Sequence, residues 1–234
     1  MINHLPLKSL KISYHLRIAR AIGLLGLLLP AMHCIHGETR TFREGEDNGY
    51  GAYSGTADTY IAIAGSSGAG DETGTNYGTS SILKIEDDPG QSNGQGLIRF
   101  DTIFGAGAGQ IPPGATITSA TLSFTTVDGG FAGTTSSPSV HRMLVAWDED
   151  SVTWDALTGG VDADGTDAAA TADDSGGSNL DNGEVGTWDV QATVQAWSGG
   201  ATNHGFALLG TTQNAWDAVS SEAGTVADRP SLVV

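Results

Sequence analysis

Ser119-Ala120-Thr121-Leu122-Ser123-Phe124-Thr125 decides the fold class. Apolar Ala120, Leu122 and Phe124 alternate with hydroxyl residues, and a period of two puts successive side chains on opposite faces of an extended chain. Such a segment buries one face and wets the other, as a half-buried strand does. Ile98 and Phe100, set against Arg99 and Asp101, repeat the pattern. Working outward, short apolar runs separated by Gly, Pro, Asn and Asp clusters predict further strands. They fall at 59–64, 81–86, 96–101, 116–127, 139–147, 185–190, 206–210, 218–222 and 231–234. Val190, Val194 and Trp197 instead recur at i, i+4 and i+7, a helical stripe that Gly199-Gly200 ends. The expected architecture is all-β: a β-sandwich, jelly-roll-like, with one short helical turn. Thr158–Gly183, mostly Gly, Ala, Asp, Thr and Ser, reads as a long surface loop. No internal repeat is visible, and no second domain is required.

The ends of the chain differ in charge. Lys8, Lys11, Arg17 and Arg20 precede the apolar stretch Ala21–Leu29, and the first acidic residue is Glu38. A positive segment before a short Leu-rich run is the layout of a secretory signal peptide, here residues 1–37 with cleavage near Gly37. The run is too short to cross a hydrocarbon core of ~30 Å, so no membrane insertion is expected of the mature chain. Cys34 raises a lipid-anchored alternative, against which the bulky His33 before it stands. Residues 38–55, polar and Gly-rich, read as a flexible lead-in to a domain over 56–234.

The whole chain carries 27 acidic and 10 basic residues, a net charge of −17. Without the leader, 6 basic residues face the same 27 acids, a balance of −21, and the single cysteine is gone. A secreted, extracellular domain lacking disulfides must be held by its core, which this length allows. So negative a surface repels nucleic acid and anionic lipid. Oligomeric state is left open.

No catalytic constellation emerges. His141 and His204, the histidines after the leader, sit in different segments, and each reads as structural rather than as a metal ligand or a base beside a nucleophile. Asp148, Glu149 and Asp150 carry no spacing that selects a glycosidase pair over a solvated acidic turn. Gly105-Ala106-Gly107-Ala108-Gly109 lacks the Lys-Ser/Thr ending of a phosphate loop. Asp162-Ala163-Asp164-Gly165-Thr166-Asp167 has Asp167 where an EF-hand needs its glycine and Asp173 where it needs its glutamate. EF-hand binding is therefore rejected. A calcium site of another kind stays open as a structural cofactor, with solvated loop acids as the alternative. No residue is assigned as a metal ligand, and no other cofactor is expected.

Sugar binding would rest on aromatic side chains, whose flat faces meet the C–H faces of pyranose rings. Trp147 and Trp197 lie on a strand and on the helical stripe and read as core, and Trp188, just before that helical element, as core or semi-buried. Trp154 follows strand-like Val152-Thr153 and could point either way. Trp216, in Gln213-Asn214-Ala215-Trp216-Asp217, and Phe131, between Gly130 and Ala132, sit in polar or Gly-rich stretches. Each either contacts carbohydrate or folds back as a lid on the core. Trp216, Phe131 and Trp154 are the candidate contacts.

An ordered series of segments carries a resemblance. It runs through Ala57-Asp58-Thr59-Tyr60-Ile61, Asn76-Tyr77-Gly78-Thr79, Leu97-Ile98-Arg99-Phe100-Asp101 and Ile111-Pro112-Pro113-Gly114-Ala115-Thr116-Ile117. Ser119-Ala120-Thr121-Leu122, Trp147, Val152-Thr153-Trp154 and Val194-Gln195-Ala196-Trp197 continue it. Asn203-His204-Gly205-Phe206, Ser221-Glu222-Ala223 and Arg229-Pro230-Ser231-Leu232-Val233 close it. In this order they resemble the DNRLRE domain, also classed as carbohydrate-binding module family 96, over roughly Thr56 to Val234. Ser221 stands where the family's Ser-Arg-Glu has arginine. The resemblance implies a secreted β-sandwich that binds polysaccharide and is not an enzyme. Arg99, Glu222 and Arg229 recur at family positions, where pairing with one another or with backbone competes with ligand contact. A structural or adhesive surface protein is the alternative function, and a polysaccharide-degrading enzyme a more distant one. An anionic polymer would need a local basic patch or bridging calcium to approach this charge, so a neutral glycan is electrostatically easier.

Overall fold

The alternating segment lies in the middle of a sheet in the computed structural model, where 37–63, 70–88, 92–176, 179–211 and 215–234 are the described residues. The expected leader, apart from Gly37, falls outside them. The strands are β1 (Thr41–Phe42), β2 (Thr56–Ala62), β3 (Ile82–Asp88), β4 (Ser92–Phe100), β5 (Thr121–Thr125) and β6 (Ser139–Arg142). They continue with β7 (Val185–Asp189), β8 (Phe206–Leu209), β9 (Ala215–Val219) and β10 (Ser231–Val233), and the helix α1 spans Gln191–Ser198. One sheet has the order β1-β10-β5-β7. The other runs β6-β8-β4-β3-β9, with β2 also on β4. All of these pairings are antiparallel. The fold is an all-β sandwich.

The core follows from the periods. Leu122 and Phe124 of β5 are buried and paired with Trp188 and Gly186 of β7. Ile98 and Phe100 of β4, Phe206 and Leu208 of β8, and Leu83 and Ile85 of β3 join them in one buried cluster. Each such side chain contributes about 1.5–3 kcal/mol on leaving water. The intervening Leu97 and Ala207 belong to a second cluster, with Ile61, Met143, Trp147, Val152, Trp154, Val161 and Ala168. The six-stranded sheet is thus covered on both faces, its outer one by the chain between 143 and 168. That is why β4 and β8 are apolar at consecutive positions.

The helical stripe is confirmed. Val194 and Trp197 are buried, and the Trp197 ring lies 4.9 Å from Phe206. Gln195 Oε1 accepts the Ile117 N–H at 2.8 Å, and Ser198 Oγ donates to the Ala115 carbonyl at 2.7 Å. These bonds latch residues 115–117 to α1, so the strand expected at 116–127 shortens to β5.

Three expectations need correction or refinement. Residues 38–55 are not a flexible lead-in: Arg40 exchanges backbone bonds with Val234, β1 pairs β10, and Phe42 is buried beside Tyr53. Two aromatic rings supply the apolar area that their Gly-rich neighbours lack. The long surface loop expected at 158–183 is, among its described residues, anchored to the sheets. Bridges join Met143 to Ala168, Val140 to Asp174 and Thr134 to Leu180, and Val161, Ala168 and Leu180 are buried. The strand placed at 218–222 lies instead at Ala215–Val219, which moves Trp216 from a loop into the ladder, opposite Ile85.

Candidate functional site

The three aromatics singled out in the sequence have separate fates. Trp216 is not on the surface. It is 1% exposed, tilted 5.6 Å from Trp188, edge-on to Phe124, and its Nε1 donates to Thr126 Oγ1 at 3.0 Å. Ala215, Asp217 and Val219 flank it in alternation, a period that reading the preceding polar residues as a loop had hidden; of those, Gln213 and Asn214 lie outside the described residues. Trp154 is also buried, in the outer cluster, because the chain folds back over it at Gly160. Gly160 has φ +93°, and a Cβ there would run into the Trp154 ring, so the close cover requires glycine. Neither ring can meet a glycan without opening the core.

Phe131 alone of the three stands outside, fully exposed. It borders a shallow cleft of about 460 Å³ with Gly130, Thr134, Asn179, Asp181 and Asn182. Asn182 holds the cleft's shape: its Oδ1 accepts the Gly133 N–H and its Nδ2 donates to the Gly130 carbonyl. Asn179 also borders a second cleft that reaches exposed Val185. Tyr50, half exposed, is a weaker platform because the Arg40 guanidinium lies over its ring at 4.4 Å and its hydroxyl donates to Glu38. A flat ring beside amides and a carboxylate has the chemistry to hold a sugar.

A second constellation escaped the sequence. Asp58 on β2, Glu149 in the turn after Trp147, and Glu222 just past β9 each offer a carboxylate oxygen, all within 4.8 Å of one another. Asp58 is 1% exposed, Glu149 half-buried and Glu222 exposed, so the group runs from core to surface. The Asp58 N–H donates to Glu149 Oε1 at 2.6 Å, and the Ser221 N–H donates to Asp58 Oδ2 at 2.9 Å. Asp58 Oδ1 has no partner; the other unpartnered buried side-chain atoms among the described residues are Arg43 Nε, Thr56 Oγ1 and Trp197 Nε1, none of them a carboxylate oxygen. Neighbours place the turn. Asn76 Nδ2 donates to the carbonyls of Glu149 and Val152, and Gly78 packs so closely on the Glu149 carbonyl that a Cβ would collide with it. Arg229 pins the Glu222 turn through the Ala223 carbonyl and reaches the Glu44 carbonyl.

Burial raises the Asp58 pKa well above the carboxylate range, and the Glu222 charge adds to it. Glu149 is pushed up to about 7, first by desolvation and against the bond from the Asp58 N–H, with Glu222 and Asp150 adding to the rise. Arg99 works against this rise, its guanidinium being engaged by Asp101 at 2.7 Å and by the Trp147 carbonyl at 2.9 Å. Only oxygen donors meet here, the set suited to a hard cation. The Asp162–Asp167 loop, by contrast, forms its own turn: Thr166 N–H donates to Asp164 Oδ1 and Asp162 N–H to Asp167 Oδ2.

The two histidines sit apart, His141 held through its ring and His204 met at its backbone. His141 is buried, with Nδ1 against the Ala169 carbonyl at 2.8 Å and Nε2 against Ser139 Oγ at 3.0 Å. His204 offers its carbonyl to Trp147 Nε1 at 2.8 Å.

The family model described as "Carbohydrate-binding module family 96" matches residues 50–234, most of the chain. No curated protein matches it.

Proposed function

We propose that this chain, which belongs to carbohydrate-binding module family 96, is a secreted, non-catalytic polysaccharide-binding module that grips its ligand at the Phe131 cleft. Membership of a carbohydrate-binding family implies the ligand class. The fully exposed Phe131 ring carries the choice of surface, since Trp216 and Trp154 are packed inside and Tyr50 is covered by Arg40. The balance of −21 left without the leader favours a neutral polymer over an anionic one. Membership of a binding-module family supports a non-catalytic role, and the buried His141, with both ring nitrogens engaged by neighbours, presents no free nitrogen to a substrate. The basic-then-apolar pattern of residues 1–37 supports secretion.

Affinity electrophoresis in gels cast with neutral and anionic polysaccharides tests the reading. Retardation on a neutral polymer is expected, with Phe131→Ala removing most of it while leaving the melting temperature unchanged, as an exposed side chain should. A folded protein that no polymer retards would overturn polysaccharide binding. Retardation equal in wild type and Phe131→Ala would overturn the surface.

A further inference from the structure

We propose that Asp58, Glu149 and Glu222 bind one calcium ion that ties together β2, the turn after Trp147 and the turn after β9. Two independent observations carry this. The first is geometry: the three carboxylate oxygens lie within 4.8 Å of one another. Calcium, with oxygen ligands at about 2.3–2.6 Å and no strict demand on geometry, accommodates carboxylate oxygens at such separations. The second is the orphaned Asp58 Oδ1, on a side chain 1% exposed whose other oxygen is met by a backbone N–H. A buried carboxylate oxygen without a donor is costly, and a bound cation removes that cost.

Among the described residues, neither guanidinium near the corner does the same work. Arg99 is held by Asp101 and the Trp147 carbonyl, and Arg229 by two backbone carbonyls. The exposure of Glu222 leaves the ion a way in from solvent. Asn76 and Gly78 fix the Glu149 turn from behind, so the three ligands are presented by the folded backbone and need no long flexible arm. The corner shares no residue with the Phe131 cleft, and the proposal stands whether or not that cleft binds sugar.

The rival occupant is a proton shared between Asp58 and Glu222. The purified full chain, stripped with EDTA and titrated with calcium chloride, separates the two by calorimetry and thermal melting. One equivalent of calcium should bind and raise the melting temperature, while Glu222→Gln and Asp58→Asn each weaken binding at least tenfold. Glu222 is exposed, so its variant remains informative if Asp58→Asn misfolds. A double change in the acidic loop, Asp162→Asn with Asp164→Asn, should leave the binding intact. Absence of both heat and melting shift in the wild type, with Glu222→Gln melting higher than wild type, would establish the shared proton and overturn the ion. Unchanged calcium affinity in Glu222→Gln would overturn it equally.

Discussion

Trp216 and Asp58 lie at opposite ends of the same question. Both are 1% exposed, both belong to the six-stranded sheet, and both bring a polar group into the interior. The Trp216 N–H meets the Thr126 hydroxyl, and its ring packs on Phe124 and Trp188. Nothing is left over. Asp58 finds a donor for one oxygen only, and two further carboxylates approach it. A buried polar group whose bonds are complete stabilises the fold; one whose bonds are incomplete points to a ligand outside the chain.

Breaking the Trp216 side of this comparison should have the largest effect. Trp216→Ala removes a large, fully buried ring between two others, and a loss of about 3–5 kcal/mol is expected, read by urea unfolding. Loss of polysaccharide binding in step with unfolding, and not before it, would keep Trp216 structural. Thr126→Val is a finer cut at the same place. It preserves shape but strands the indole N–H, so a loss of about 1–3 kcal/mol is expected. An unchanged stability would mean that the bond contributes nothing and that ring packing alone seats Trp216.

The Asp58 side responds to pH. In the folded, calcium-free chain, burial raises Asp58 and holds Glu149 at about 7, while in the unfolded chain both titrate near the ordinary carboxylate value of about 4. Between those values the folded state binds more protons than the unfolded one, so stability falls as pH rises. The groups facing Glu149 are Asp58, Glu222, Asp150 and, with opposite sign, Arg99. The melting temperature in EDTA should therefore decline modestly from pH 4.5 to 7.5, and saturating calcium should flatten that decline. A calcium-free melting temperature that rises across the window would contradict the burial of these carboxylates.

The sheet pattern was legible because it is local. Ala120, Leu122 and Phe124 alternate within one strand, and the Val190–Trp197 stripe lies within three turns of helix, so neighbouring residues suffice to read both. Trp216 was misplaced for a related reason: polar neighbours outweighed the short alternation of Trp216 and Ala218 around Asp217. Phe42 and Tyr53 were hidden inside a Gly-rich stretch, where composition suggests mobility and two rings nevertheless secure the chain. Phe131 was recognised as a loop aromatic, but only the packed surroundings show that its ring faces water.

By itself, then, the sequence determined that this chain is built of strands, that it is strongly acidic, and which side chains are apolar enough to form its interior. Alternation and transfer free energy act residue by residue, and they survive without coordinates. The tertiary structure alone decided which polar groups face one another. Asp58 and Glu149 are 91 residues apart, and the Asp58 bond to Ser221 spans 163. Antiparallel pairing of β2 with β4 and of β3 with β9, with the turn seated by Asn76 and Gly78, brings those carboxylates to one corner. Electrostatic interaction depends on distance in space, and the ladder that sets that distance leaves no periodic mark at the three positions concerned.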